Sequence, residues 1–146
     1  MSGKRKSTIA GPLFALALLF FLVGHFHGKV SPSRGAVLSY RGPVPSGTLS
    51  CTGLENLWMA AGGARSTAFL AAEVARAESA GREYATNSNT DGSTDIGYWQ
   101  INNSAHPGMA VFDPIGNAKS AIRISGNGTD WHLWVTYEKG LETGQC

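Results

Sequence analysis

Apolar residues form one uninterrupted run near the N-terminus and several shorter, periodic segments farther along the chain. The run covers residues 9–24, IAGPLFALALLFFLVG, which carry no charge and follow the basic residues Lys4, Arg5 and Lys6. A basic start before an apolar run is typical of a segment that exports the rest of the chain and leaves the N-terminus in the cytoplasm. The run is short for a membrane span and long for the core of a cleaved signal. Residues 1–27 are therefore predicted to be either a signal peptide or a membrane anchor.

The next stretch, residues 28–50, has no apolar period and is rich in serine, glycine and proline. Pro32, Pro43 and Pro45 disfavour helix and sheet, because proline lacks a backbone N–H and has a fixed φ. We predict a flexible linker that holds a C-terminal domain a short distance from the membrane.

The remaining chain has the apolar spacing of helices. Residues 53–61 carry two leucines and a tryptophan on one side. Residues 66–80 are rich in alanine, begin at Ser66, a good N-cap, and are followed by Gly81 at the position where helices often end. Residues 113–125 begin with an aspartate N-cap followed by a proline in the first turn.

Two further segments complete the predicted fold. Residues 85–95 are polar and rich in turn-forming residues, and residues 96–102 are predicted to include a short strand. Residues 130–139 have aromatic residues at helical spacing, namely Trp131, Trp134 and Tyr137. We therefore predict an α+β domain over residues 51–146, mainly helical with a small β-hairpin, preceded by the N-terminal hydrophobic segment.

The charge distribution argues against nucleic-acid binding. Residues 1–50 contain six basic residues and no acidic ones, a balance of +6. Residues 51–146 contain six basic and ten acidic residues, a balance of −4. Phosphate binding needs a concentrated basic surface, which an acidic domain does not favour.

The two cysteines, Cys51 and Cys146, bracket the predicted domain. An even number of cysteines in an exported chain suggests a disulfide, although two unrelated thiols are the alternative. The four histidines show no metal-binding spacing, so no metal or cofactor is expected.

Glu78 is the first candidate for chemistry, because it lies on the apolar face of the helix predicted at 66–80. The residues that share this face are Ala71, Val74 and Ala75. Burial and the negative end of the helix dipole would both raise the pKa of this carboxyl, as a general acid near neutral pH requires. The pattern alone leaves open that Glu78 reaches solvent at the helix end. Glu73 and Glu83 lack such a setting and are expected to be solvated.

Asp95 is the second candidate, 17 positions after Glu78. It follows polar, turn-forming residues that can hydrogen-bond it, so this acid is expected to stay ionised. A protonated acid beside an ionised one is the pattern of glycoside hydrolysis. A hairpin that folds back across the helix end would bring the two acids together.

The stretch from Asn87 to Gly92 also resembles the start of a calcium-binding EF-hand loop. That loop needs a glutamate at its twelfth position, which here is Tyr98, and a flanking pair of helices. Calcium binding is therefore the weaker alternative.

The residues around both acids resemble the c-type lysozyme family. The similar motifs are Glu78-Ser79, Ala85-Thr86-Asn87, Asn89 to Asp95, Gly97, and Gln100-Ile101-Asn102, with a later patch at Gly126-Asn127-Gly128 and Trp134-Val135. The resemblance implies a lysozyme-like fold, peptidoglycan glycan strands as substrate, Glu78 as acid and base, and Asp95 as nucleophile or charge stabiliser. It also implies a sugar cleft that involves Gln100, Asn102 as a contact for an N-acetyl group, and Trp134 against Glu78. Trp99, which departs from the family's commonest pattern, and Tyr137 are further candidates for substrate binding. A plain core role for Trp134 is the alternative.

Several features depart from that family. C-type lysozymes are usually basic and rich in disulfides, whereas this domain is acidic and has two cysteines. Glu78-Ser79, Gly97-x-x-Gln100-Ile101 and Tyr137 also look like the soluble lytic transglycosylase family, which relies on one glutamate and forms a 1,6-anhydro product.

The sequence therefore predicts an exported muramidase, secreted or anchored, that acts at the cell wall on the β-1,4 bond between N-acetylmuramic acid and N-acetylglucosamine. A lytic transglycosylase is the first alternative, and a non-catalytic wall-binding module is the second.

Overall fold

The computed structural model describes residues 41–146, so the apolar run at 9–24 and residues 28–40 of the predicted linker lie outside the described part. In chain order the described elements are α1 (Cys51–Ala60), a 3-10 turn (Arg65–Thr67), α2 (Ala68–Ser79), β1 (Thr86–Ser88), β2 (Thr94–Ile96), β3 (Ile101–Asn102), α3 (Pro114–Ile124) and α4 (Val135–Glu138). No helix within residues 41–146 is long and apolar enough to cross a membrane. The elements form the predicted α+β fold, helical with one small antiparallel sheet.

Helix α2 begins two residues later than the sequence predicted. Ser66 lies in the 3-10 turn and does not cap the helix. The hydroxyl of Thr67 instead lies within hydrogen-bond distance of the carbonyl oxygens of Ala64 (3.1 Å) and Asn127 (3.0 Å). The start of α2 is therefore fastened to the loop that follows α3.

The end of α2 requires a glycine. Ala80 has a φ of +55° and Gly81 a φ of +74°, so the chain leaves the helix in the left-handed region. A Cβ on Gly81 would lie 2.3 Å from the carbonyl oxygen of Leu49. Gly81 therefore allows the two backbones to approach closely.

The core forms where small residues on α2 meet the tryptophans. The predicted apolar face, Ala71, Val74 and Ala75, is fully buried, and so is Ala72. All four tryptophans are buried in one cluster: Trp58, Trp99, Trp131 and Trp134. Each indole N–H donates to a backbone carbonyl oxygen, at distances from 2.8 to 3.1 Å. The cluster therefore buries its large rings without leaving a polar group unpaired.

The sheet has three strands rather than the two of a simple hairpin, in the order β1-β2-β3. The stretch predicted at 96–102 is divided by a tight turn at Gly97, which has a φ of +80°. Asn117 of α3 fixes this turn, because its amide accepts from the N–H of Trp99 (3.0 Å) and donates to the carbonyl of Ile96 (2.9 Å). A Cβ on Gly97 would lie 2.4 Å from the Asn117 amide nitrogen, so the turn depends on a glycine.

The aromatic segment at 130–139 is helical only in its second half. Trp131 and Trp134 precede α4, and their indoles bond the carbonyl oxygens of Gly128 and Trp99 in the core. The helical spacing of the aromatic residues was therefore misleading in the first half of this segment, because burial of the two rings decides its course.

Residues 47–50, here called the N-terminal arm, were assigned to the linker but pack against the folded domain. The N–H of Leu49 donates to the carbonyl of Gly81 (2.8 Å), and Thr48 forms a β-bridge with Arg82. The Tyr98 hydroxyl donates to the carbonyl of Gly47 (2.7 Å). The packed chain therefore begins before Cys51.

Glu83 corrects a second expectation. It is only 8% exposed and accepts a hydrogen bond from the N–H of Gly47 at 2.5 Å, so it is buried rather than solvated. Glu73 is partly exposed and accepts from the N–H of Gly144 at 3.0 Å.

The two cysteines are joined in a disulfide. Cys51 opens α1 and Cys146 ends the chain, and their Cα atoms lie 5.6 Å apart. The bond therefore connects the first turn of α1 to the C-terminal segment, which also contacts α2 through Glu73.

Candidate active site

A cleft of about 690 Å³ lies between the end of α2, the sheet and the segment before α4. Glu78 and Asp95 both line it, as does Trp134. One wall is polar and comes from the sheet and its loops, with Asn87, Asn89, Asp91, Ser93 and Asn102. The other wall is mainly apolar, with Ile124, Leu133, Trp134 and Val135. The fold therefore brings the two predicted acids into one cleft.

Glu78 is the penultimate residue of α2 and is half-buried. Burial raises the pKa of its carboxyl, and the negative charge of Asp95 raises it further. Hydrogen bonds from Thr136 act in the opposite direction and lower this pKa, the hydroxyl donating to Oε1 of Glu78 at 2.5 Å. The net pKa stays above the ordinary value, so the protonated form of Glu78 persists to higher pH than that of a solvated glutamate.

Trp134 belongs to both the core and the cleft. Its side chain is 5% exposed, lines the cleft, and is held by a bond from its indole N–H to the carbonyl of Trp99 at 2.8 Å. Trp134 is therefore a core residue that also borders the cleft.

Asp95 lies in the middle of a row that crosses all three strands. Asn87 on β1 and Asn102 on β3 are its direct neighbours in the register. Residues opposite each other on adjacent strands point to the same face of a sheet. Asn87 donates to Oδ2 of Asp95 (3.2 Å), and Asn102 donates to Oδ1 (2.8 Å). Each carboxylate oxygen is therefore held by one amide.

A family model described as a lysozyme-like domain matches residues 55–136. The chain belongs to the lysozyme-like domain family. No curated protein and no solved structure matched the chain. The matched range contains both acids and the sheet, and it ends at the residue that hydrogen-bonds Glu78. Peptidoglycan glycan strands are the substrate of such domains, which are glycosidases or lytic transglycosylases.

In this lysozyme-like domain Asn102 is fully occupied by the protein itself. Its Nδ2 donates to Ser93 Oγ as well as to Asp95, both at 2.8 Å. Its Oδ1 accepts from the N–H groups of Ser104 (3.0 Å) and Ala105 (2.9 Å). The structure therefore uses Asn102 to hold Asp95, and its amide has no free donor for an N-acetyl group.

Gln100 lines the cleft and also stabilises the turn after β2. Its Nε2 donates to the carbonyl oxygens of Gly97 (2.8 Å) and Ala85 (3.0 Å), and its φ is +46°. Its side-chain N–H groups therefore both donate to the backbone.

Two residues predicted for the cleft do not line it. Trp99 is fully buried, and its indole donates to the carbonyl of Ala71 on α2 (2.9 Å), so it belongs to the core. Tyr137 is 36% exposed on α4 and lies outside the set of cleft-lining residues. Position beside a motif did not reveal which way either side chain points.

Thr136, Asn87 and Ser93 contribute to the site but were not singled out as site residues from the sequence. Asn87 and Ser93 fall within the motifs that resemble lysozymes, and Thr136 directly follows Trp134-Val135. These positions, within or next to the motifs, are the sequence signal from which the three residues could have been identified.

The loop considered for calcium is bonded internally. Oδ1 of Asp91 accepts from both the N–H and the hydroxyl of Ser93, at 2.9 and 2.7 Å, and these bonds lower the pKa of Asp91. Within residues 41–146 no group of three or more His, Cys, Asp or Glu side chains is placed to hold a metal ion.

Proposed function

We propose that this lysozyme-like domain is a muramidase, which hydrolyses the β-1,4 bond between N-acetylmuramic acid and N-acetylglucosamine. The observation that carries the proposal is the pair of acids in one cleft with contrasting surroundings. Glu78 is half-buried with a raised pKa, and Asp95 has an amide donor on each oxygen. Such a pair divides the work of glycoside hydrolysis between a proton donor and a carboxylate.

The reaction follows from these surroundings. Protonated Glu78 gives its proton to the glycosidic oxygen, and positive charge develops on the muramic sugar as the bond breaks. Asp95, oriented by Asn87 and Asn102, attacks or stabilises that centre. Glu78, now ionised, takes a proton from water as the water completes the hydrolysis. In the described chain three carboxylates (Glu78, Asp91, Asp95) and no lysine or arginine line the cleft, which favours positive charge there.

Lytic transglycosylation is the second candidate, favoured by the turn Gly97-x-x-Gln100 that borders the cleft. In that reaction Glu78 would remove the proton from the sugar's own 6-hydroxyl, and Asp95 would not be needed. The hydrogen-bonded row across the three strands supports the use of Asp95, and therefore hydrolysis. Tyr137, the other transglycosylase-like residue, lies outside the cleft lining and gives that alternative no support.

The deciding experiment compares the parent with Glu78→Gln and Asp95→Asn on purified peptidoglycan. Glu78→Gln should lose roughly 10²–10⁴-fold or more of the cleavage rate, because the amide cannot donate the proton. Glu55→Gln makes the same chemical change on α1, outside the cleft lining, and should cleave like the parent.

Mass spectrometry of the fragments separates the two reactions, since an anhydro end is one water lighter than a reducing end. Reducing ends, together with a severe loss in Asp95→Asn, are expected. Exclusively anhydro-muramic products and a nearly active Asp95→Asn would replace the muramidase proposal with the transglycosylase. A folded parent that binds the polymer without cleaving it would instead indicate a wall-binding module.

We also propose that the domain is exported and acts at the cell wall, either secreted or held by its N-terminal segment. The basic start and the apolar run at 9–24 support this proposal. N-terminal sequencing of the exported form distinguishes a cleaved signal from an anchor. Recovery of the domain only from the cytoplasm would contradict both versions.

A further inference from the structure

Thr136 contacts the acid of the proposed reaction from a distant part of the chain. Its hydroxyl donates to Oε1 of Glu78 across 58 positions of sequence, from the first turn of α4 to the last turn of α2. Within residues 41–146, no other residue hydrogen-bonds the Glu78 carboxyl. Thr136 also lines the cleft, so it lies at the site of the chemistry.

We propose that Thr136 is a positioning residue that fixes the carboxyl of Glu78 and assigns its catalytic proton to Oε2. A carboxylic acid has one carbonyl-like oxygen that accepts a hydrogen bond and one oxygen that carries the proton. Since the Thr136 hydroxyl donates to Oε1, Oε1 takes the accepting role. The proton is therefore carried by Oε2, which is left to meet the glycosidic oxygen. The catalytic role of this proton rests on the proposed function, whereas the hydrogen bond between Thr136 and Glu78 does not.

The same hydrogen bond acts on both protonation states that the reaction uses. Glu78 is neutral before the first proton transfer and ionised after it, and a donated hydrogen bond favours the ionised form. Burial and the charge of Asp95 favour the neutral form. Thr136 therefore limits the rise in the pKa of Glu78, so that the same group can serve as acid and then as base.

Two substitutions separate the hydroxyl from the shape of the side chain. Thr136→Val keeps the branched shape and removes the hydroxyl, whereas Thr136→Ser keeps the hydroxyl and removes a methyl group. Thr52→Val makes the first change at an exposed position on α1 and serves as the control.

The measurement is a ¹³C NMR titration of the Glu78 carboxyl in each variant, with the signal assigned by its loss in Glu78→Gln. Thr136→Val should move the titration midpoint of Glu78 to higher pH. Thr136→Ser and Thr52→Val should leave it close to that of the parent. A folded Thr136→Val with the parent's midpoint would overturn the proposal, as would a shift of equal size in Thr136→Ser.

The pH profile of kcat gives a second readout. Thr136→Val should have a lower maximum kcat, because the carboxyl of Glu78 is no longer fixed. Relative to that maximum, its alkaline limb should extend to higher pH, and Thr136→Ser should show neither change. If Glu78→Gln proves fully active, the proposed function fails while the titration still reports on the hydrogen bond. If the titration shows no effect while Glu78→Gln is inactive, only the role of Thr136 fails.

Discussion

Glu78 has surroundings that suit a proton donor and disfavour its ionised form. Because burial and Asp95 raise its pKa in the folded state, the folded protein binds this proton more tightly than the unfolded chain does. Stability from this group is therefore complete below the unfolded pKa and is lost as the pH rises through the folded pKa. Activity near neutral pH consequently has a cost in stability at this residue.

We therefore expect Glu78→Gln to be more stable than the parent at neutral pH, because it removes a half-buried negative charge. The gain in free energy of unfolding should shrink as the pH falls towards the ordinary pKa of a glutamate, where the parent's carboxyl is also neutral. Urea unfolding at roughly pH 4 and roughly pH 7 tests this, with Glu55→Gln as the control. A gain that does not depend on pH would contradict the explanation.

For individual residues, prediction from the sequence was correct where the surroundings depend on neighbours along the same helix. The face shared by Ala71, Val74 and Ala75 predicted the setting of Glu78, and those three residues are fully buried. Trp99 was misplaced because residues beside a motif can point into the core. Thr136 was missed because its contact with Glu78 spans most of the domain.

At the scale of the elements, the turn between β2 and β3 connects the strands that carry Asp95 and Asn102. Gly97 in this turn and Gly92 in the preceding loop have nearly the same φ, +80° and +83°. A Cβ on Gly97 would meet Asn117, whereas a Cβ on Gly92 would meet nothing within 4 Å. Alanine substitutions at the two glycines can therefore be compared to distinguish the cost of the left-handed backbone from the cost of a steric collision.

We predict that Gly92→Ala costs about 1–2 kcal/mol of unfolding free energy, from the left-handed backbone alone. Gly97→Ala should cost more, by a further ~1–3 kcal/mol, because the Asn117 amide must move and its buried hydrogen bonds with Ile96 and Trp99 weaken. Urea unfolding of both variants measures the difference. Equal losses would show that the contact with Asn117 contributes nothing.

Elements with a strong local pattern were predictable, and the others depended on distant partners. Helix α3 has an aspartate cap and an amphipathic sequence, whereas α2 is rich in alanine and is followed by a glycine; both were predicted to within a few residues. Strand β3 has only two residues, too few for an alternating pattern to appear. The segment before α4 follows its two tryptophans into the core, which spacing along the chain cannot show.

At the scale of the whole molecule, one covalent bond closes the domain. The disulfide between Cys51 and Cys146 closes a loop of 95 residues. The double variant Cys51→Ser/Cys146→Ser should lose on the order of 4–5 kcal/mol of unfolding free energy in the loop-entropy model. Urea unfolding with and without a thiol reductant tests this, since the reductant should destabilise the parent and leave the double variant unchanged. A loss below ~1 kcal/mol would show that loop closure contributes little to stability.

Composition alone did not reveal where the folded domain begins. Residues 47–50 have the serine and glycine content of a linker, yet they contact Gly81, Glu83 and Tyr98. These partners follow the arm by more than 30 positions, so only the folded structure identifies them. The burial of Glu83 was missed for the same reason, because its partner Gly47 lies in this arm.

The clustering of all four tryptophans has a practical consequence for spectroscopy. Trp134 stands 4.7 Å from Trp131, which in turn lies 5.8 Å from Trp58, as measured between ring centroids. Indoles this close exchange excitation energy, so their fluorescence behaves as a collective signal. Of the four, Trp134 alone borders the cleft. A glycan that changes the surroundings of this single ring should therefore alter the emission of the whole cluster, so that occupancy can be followed without an added label.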